Sequence, residues 1–103
     1  MSASPTPYDL GLAWLTYATE DLACADMLAG AYRRPAAYHC QQAAEKSMKA
    51  LLALADVPFR PTHDLREIGQ AVATVYPELA ELVRKVAPWL RAALGISADA
   101  LVG

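Results

Sequence analysis

Two helix-length stretches of amphipathic sequence flank a short connection, Ala31 to Arg34, and this constrains the fold more than any other feature of the chain. A link of about five residues allows two helices only one simple arrangement, as antiparallel neighbours. The first stretch has clear boundaries. Thr6 is a good N-cap, Pro7 suits the first helical position and Asp9 falls in the first turn. The spacing predicts a helix over Pro7–Ala29, stopped at Gly30. At 100° per residue, Leu10, Trp14, Leu15, Tyr17, Ala18, Leu22, Ala25 and Leu28 share one broad apolar face. Thr16, Thr19, Glu20 and Asp26 lie opposite, with Leu12 and Met27 among them.

The second helix is expected from Pro35 to Ala55. Its apolar face carries Cys40, Ala43, Ala44, Met48, Leu51 and Leu54, and a Glu45–Lys49 pair at i,i+4 faces the other way. Pro58 and Pro61 mark a loop. Thr62 is a plausible N-cap for a third helix, with Asp64 in its first turn and Leu65, Ile68, Val72 and Val75 on one face. Pro77 ends that helix and opens a fourth, with Leu79, Leu82, Val83, Val86 and Leu90 on one side and an outward Glu81–Lys85 pair. The fourth helix kinks or ends near Pro88. Residues 1–6 read as a loose arm and 95–103 as a weakly patterned tail.

Composition agrees with a helical reading. Alanine accounts for 22 of the 103 residues, while Val and Ile together number eight and Phe one, a mixture that favours helix over a β sandwich or barrel. The expectation is therefore a single all-α domain over 1–103, an up-and-down bundle of four main helices. Alanine lets helices approach closely but fills a core poorly, so surplus apolar surface on the first helix and the tail points to a second copy across a two-fold axis.

A net charge of −2 gives no general nucleic-acid footprint, which leaves only a local basic patch. Cys24 and Cys40 stand without metal-ligand spacing and read as small buried hydrophobes in a reducing, cytoplasmic setting. The first residues lack the charged and apolar regions of a signal peptide, and no apolar run reaches the ~18 residues of a membrane span. Nothing in the pattern calls for a metal or a cofactor: there is no Gly-rich phosphate loop and no nucleophile elbow.

Three polar features stand out. Asp21 lies at the centre of the apolar face of the first helix, where an ionised carboxylate must find a partner. On the second helix, His39, Gln42, Lys46 and Lys49 line a strip with Glu45 beside it, and Arg33 and Arg34 sit just before it. That strip is either a solvated helix face or a set of groups that meet an anion, with two arginine forks and free backbone donors at the helix start. His63 either bonds locally in the first turn of the third helix, or packs back to join Asp21 and Lys46 in a polar cluster, or acts as a general acid or base. Trp14, Trp89 and the tyrosines read as core or interface residues.

Three blocks in order carry a resemblance: Trp14-x3-Ala18-x2-Asp21-Leu22-x2-Ala25-x2-Leu28, then Tyr38-His39-Cys40-Gln41-Gln42-Ala43-Ala44-Glu45-Lys46-Ser47-Met48-Lys49-Ala50-Leu51-Leu52, then Thr62-His63-Asp64-Leu65. Together they resemble the HEPN domain (higher eukaryotes and prokaryotes nucleotide-binding). The resemblance implies a helical bundle that commonly dimerises, in a small prokaryotic protein often encoded beside a minimal nucleotidyltransferase in toxin–antitoxin pairs. Some members of the superfamily are metal-independent ribonucleases with an Arg-x4–6-His motif. Here Arg34-x4-His39 and Arg33-x5-His39 are the matches to it, Gln41 stands where the extended motif has Tyr, and the C-terminal segment reads Trp89-Leu90-Arg91. The expectation is a non-catalytic module that binds nucleotide or RNA phosphate through Arg33, Arg34, His39, Gln42 and Lys46. The alternatives are a ribonuclease toxin using Arg34 and His39 across a dimer cleft, and a purely structural interaction module.

Overall fold

The computed structural model describes residues 4–82 and 84–85. Helix α1 spans Pro7–Leu28 and starts where its capping residues dictate. The Asp9 backbone N–H donates to Thr6 Oγ1 at 3.1 Å, and the Thr6 N–H donates to Asp9 Oδ2 at 3.0 Å. The Thr6 backbone and side-chain hydrogen bonds hold the Asp9 carboxyl below its ordinary pKa. Helix α2 spans Arg33–Leu54 and begins two residues before Pro35, which sits within the first turn, where a missing N–H breaks no helical bond. Arg33 and Arg34 therefore lie inside the helix, not before it.

Helix α3 spans Leu65–Val75. Its cap is Asp64, two residues later than Thr62: Asp64 Oδ1 accepts from the Arg66 N–H at 3.0 Å, and Thr62 Oγ1 accepts from the Asp64 N–H at 3.1 Å. The two residues thus build a turn and a cap in series. After Tyr76, a 3-10 turn over Pro77–Leu79 leads into helical residues 80–82 and 84–85, the start of the expected fourth helix. No strand occurs among the described residues, and the architecture is an all-α bundle. Glu81 pairs with Arg84 at 2.9 Å, an i,i+3 contact where the i,i+4 partner Lys85 is expected. Val83, Val86, Trp89, Leu90, the break at Pro88, the tail 95–103 and the first three residues of the arm lie outside the described residues.

Helices α1 and α2 run antiparallel along their full length. Near one end Gly11 faces Ala50 and Leu54, and further along Asp21 meets His39 and Lys46. The seam is built of small residues: Ala18 and Ala25 on α1, Ala36, Ala43, Ala50 and Ala53 on α2, all buried. Gly11 allows the closest approach, since a Cβ there would stand 2.6 Å from Leu54 Cγ. The buried arc of α1 is narrower than its apolar face. Leu10, Leu15, Tyr17 and Leu22 are exposed, as are Leu12 and Met27, and Trp14 and Leu28 are half-buried.

On α2 the expected orientation is reversed in one respect. Glu45 and Lys49 are buried, not solvated, at 1% and 6% exposure, and His39, Gln42 and Lys46 are half-buried on the side toward α1. Cys40, Ala44, Met48 and Leu51 are only half-buried, Leu54 is exposed, and Cys24 is half-buried as well. The reason is that α2 packs on two sides. The alanine line takes α1, while Leu52, Ile68 and Val72 form a fully enclosed aliphatic core between α2 and α3, with Met48, Leu51, Val75, Tyr76 and Leu79 around it. Polar residues lie between these two apolar sectors and are enclosed with them.

The 55–64 segment is tied at both ends. Helix α2 closes with the Val57 N–H donating to Leu52 C=O at 3.1 Å and the Asp56 N–H donating to Ala53 C=O at 3.0 Å, the bonding of a Schellman cap. Arg60 forks onto Glu67 at 2.9 and 2.6 Å, and Tyr76 Oη donates to Leu51 C=O at 2.9 Å. The left-handed residue of the cap is Asp56, with φ of 56°, where glycine fits without a Cβ penalty. Asp56→Gly is expected to raise stability by about 0.5–1 kcal/mol, because relief of the left-handed strain exceeds the added chain entropy. Urea denaturation checks this, and a loss of stability would show that the Asp56 side chain anchors the cap.

Candidate functional site

Asp21 is placed by α1 on the seam, nine-tenths enclosed, and α2 supplies two partners on one helical face, two turns apart. His39 Nδ1 lies 2.8 Å from Oδ1, and Lys46 Nζ donates to Oδ2 at 2.5 Å. The spacing i,i+7 on α2 makes this possible, because two turns bring His39 and Lys46 to the same azimuth. Burial pushes the Asp21 carboxyl up, but the hydrogen bonds and charges of Lys46 and His39 outweigh it and hold its pKa below the ordinary aspartate value. An ionised carboxylate accepts from Nδ1–H, so in a neutral His39 this bond fixes the tautomer and leaves Nε2 as an acceptor. Nε2 has no protein partner among the described residues, and the His39 side chain is 28% exposed. Tyr38, exposed, stands edge-on to the imidazole with ring centres 5.4 Å apart.

His63 does not join this group. It reaches back to α2 as one of the expectations holds, but to a different carboxylate: Nδ1 lies 2.9 Å from Glu45 Oε2, which also accepts from Lys49 Nζ at 3.3 Å. The shift of the α3 cap from Thr62 to Asp64 explains this, since His63 then precedes the helix and its side chain is free to turn toward α2. Two carboxylate–lysine–histidine groups therefore stand along α2. The second is capped by Trp14, whose ring centre lies 5.2 Å from Lys49 Nζ. Glu45 Oε1 is buried with no partner among the described residues. Sequence reasoning missed this second group because an i,i+4 Glu–Lys pair is the ordinary mark of a solvated face. The available signal was His63 itself, a polar ring just before the third helix that takes no part in its cap.

The five residues expected to bind an anion do not converge on one point. Arg33 and Arg34 occupy the first turn of α2, both exposed, and Lys46 lies about 18 Å further along the axis at 1.5 Å per residue. Arg34 and His39 are five positions apart, about 140° around the helix, so within one protomer they face different directions. The helix start has a distinct electrostatic character. Tyr32 makes no side-chain cap bond, no acidic residue stands in the first turn, and two arginines add charge where the helix dipole is already positive. Arg33, Arg34 and Lys46 against Asp21 leave positive charge in surplus. No group of three or more potential metal ligands occurs among the described residues, and no described helix is long and apolar enough to cross a membrane.

Asp21→Asn is expected to destabilise the fold by about 1–3 kcal/mol at neutral pH, since Lys46 loses its charged partner in a half-buried site. The pH dependence has a definite sign. A carboxyl with a lowered folded-state pKa contributes stability that is full above the unfolded value of about 3.9 and fades as pH falls through the folded value. Denaturation of wild type and variant from pH 7 down to acid measures the difference, which should shrink in acid; a pH-independent gap would place the effect in packing alone.

Comparison with protein families gives a match. The family model described as "HEPN domain" covers residues 12–97. No curated protein and no solved structure matches the chain.

Proposed function

Because this chain belongs to the HEPN domain family, we propose that it is a non-catalytic, dimeric phosphate-binding module that takes an RNA strand or a nucleotide along the first half of α2. Family membership supports a nucleotide- or RNA-related role at the family level. The observation that carries the finer reading is the start of α2, with Arg33 and Arg34 in an uncapped first turn that lacks an acid. Backbone N–H groups, dipole and two guanidinium forks all favour an anion there, and without one the two positive charges oppose the dipole. The free donors of Lys46 extend the positive line toward the middle of the helix, and the exposed Nε2 edge of His39 lies beside it. An extent of about 18 Å suits several phosphates in series better than one.

The reading is non-catalytic because Asp21 holds both His39 and Lys46 in the seam, and the arginines face away from His39 in the same protomer. The ribonuclease alternative draws on one observation. Asp21 orients His39 through Nδ1 and leaves Nε2 free, the arrangement a general base requires, so a second copy that brings its Arg34 opposite would complete a site. Support for a second copy comes from Tyr8, Leu12, Leu15 and Leu22, which are exposed and fall within about 80° on one flank of α1, beside the seam. The finer family features also belong to this proposal: a prokaryotic, cytoplasmic setting and a minimal nucleotidyltransferase partner in a toxin–antitoxin-type pair. A purely structural interaction module is the reading that remains if no phosphate ligand binds.

The test combines thermal shift and an RNA-cleavage assay on the full chain. Single-stranded RNA or millimolar ATP is expected to raise Tm. Arg34→Ala should weaken binding about tenfold, a loss of about 1.4 kcal/mol, without lowering the stability of the free protein. Labelled RNA should stay intact. Metal-free cleavage that disappears in His39→Ala would establish the ribonuclease reading, and absence of any ligand-induced shift would remove the phosphate-binding one.

A further inference from the structure

A second feature lies at the opposite end of the α1–α2 pair, about 20 residues along α2 from its arginine start. There α1 and the 55–64 segment enclose an open cleft of about 240 Å³. Trp14 and Phe59 form two of its walls, with ring centres 6.4 Å apart and planes tilted by 55°. Leu10, Ala53 and Val57 complete an apolar surround. One charged residue, Asp56, lines it, and Asp56 is the residue held in the left-handed conformation.

Three observations define what would fit. First, the two half-buried aromatic rings meet at an angle, which gives a corner and not a slot, so a flat nucleobase cannot be sandwiched between them. A corner of aromatic faces suits a cation. Second, the Asp56 carboxylate has no hydrogen-bond or ion-pair partner among the described residues; its backbone N–H alone is engaged, by Ala53 C=O. Nearby cations are otherwise occupied, Arg60 on Glu67 and Lys49 on Glu45. Third, an L-residue stands where the backbone favours glycine, at the mouth of a cleft, and such local strain is often kept for what the side chain does. The charge of Lys49, which already lies over the Trp14 ring, is balanced by Glu45 3.3 Å away and does not oppose a second cation.

We propose that the Trp14–Phe59–Asp56 cleft is a socket for one arginine side chain of a partner protein. The guanidinium would stack on an aromatic wall and fork onto the Asp56 carboxylate, while its methylene stem covers Leu10 and Val57. The cavity is of the size of a single side chain, smaller than the ~300–1,000 Å³ of small-molecule pockets. The socket is independent of the phosphate site, since it has the opposite charge preference and lies at the other end of α2.

Amide NMR of the full chain tests the assignment, with the Trp14 indole N–H identified through a Trp89→Phe variant. The probes are Nα-acetyl-arginine amide and its neutral isostere Nα-acetyl-citrulline amide. The arginine probe is expected to shift the Trp14 indole resonance in a saturable way, and the citrulline probe to bind at least fivefold more weakly. Asp56→Asn, which tolerates the left-handed backbone, should weaken the arginine probe by a similar factor with the rest of the spectrum unchanged. Equal binding of the two probes, no saturable shift, or an undiminished affinity in Asp56→Asn would each overturn the proposal.

Discussion

The fold depends on one buried carboxylate. An aspartate in the middle of an alanine seam is largely withdrawn from water, and α2 compensates by presenting His39 and Lys46 to its two oxygens, which favours the ionised form. This sets the axial register of α1 against α2. Alanine faces carry little steric information, and one such face can slide on another with small loss of contact. A bidentate polar clamp cannot slide without leaving a charge unpaired, so it adds specificity where packing provides little. Gly11 against Leu54 supplies a steric stop near the far end of the same seam.

Helix α2 is central because it is enclosed on two sides. Its alanine line faces α1, and Leu52 joins Ile68 and Val72 in the aliphatic core against α3. Between those sectors lie two carboxylate–lysine–histidine groups, Asp21–Lys46–His39 and Glu45–Lys49–His63. Each ties α2 to a different neighbour, the first to α1 and the second to the residues just before α3. The polar residues of α2 thus serve the fold first, and what remains for a ligand is the helix start with its two arginines, the free donors of Lys46 and the exposed edge of the His39 imidazole.

Much of this was legible in the sequence, and the misreadings have physical causes. The α1 boundaries were clear because Thr6, Pro7 and Asp9 form a complete start signal. The antiparallel pair followed from the short link, and the anomaly of Asp21 from its place on an apolar face. The burial of Glu45 and Lys49 was not legible, because helical periodicity assumes one buried face and α2 has two. The α3 cap was misplaced for a related reason: Thr62 and Asp64 are both good caps, and only the turn between them decides which begins the helix. The pattern places Arg33 and Arg34 outside α2 because Pro35 is a favoured first residue, yet Pro is equally tolerated later in the first turn. Convergence of the basic residues on one phosphate failed on simple geometry, since residues five or twelve apart on a helix do not share both face and height.

The central claim, that Asp21 and Lys46 act as one clamp between α1 and α2, is tested most directly by a double-mutant cycle. Asp21→Asn, Lys46→Met and the double variant would be compared by urea denaturation at neutral pH. A clamp requires the double variant to be more stable than the sum of the single losses indicates, with a coupling of about 1 kcal/mol or more. Additive losses, within about 0.3–0.5 kcal/mol, would mean that the two side chains contribute separately and that the register of the pair is set by the alanine seam alone.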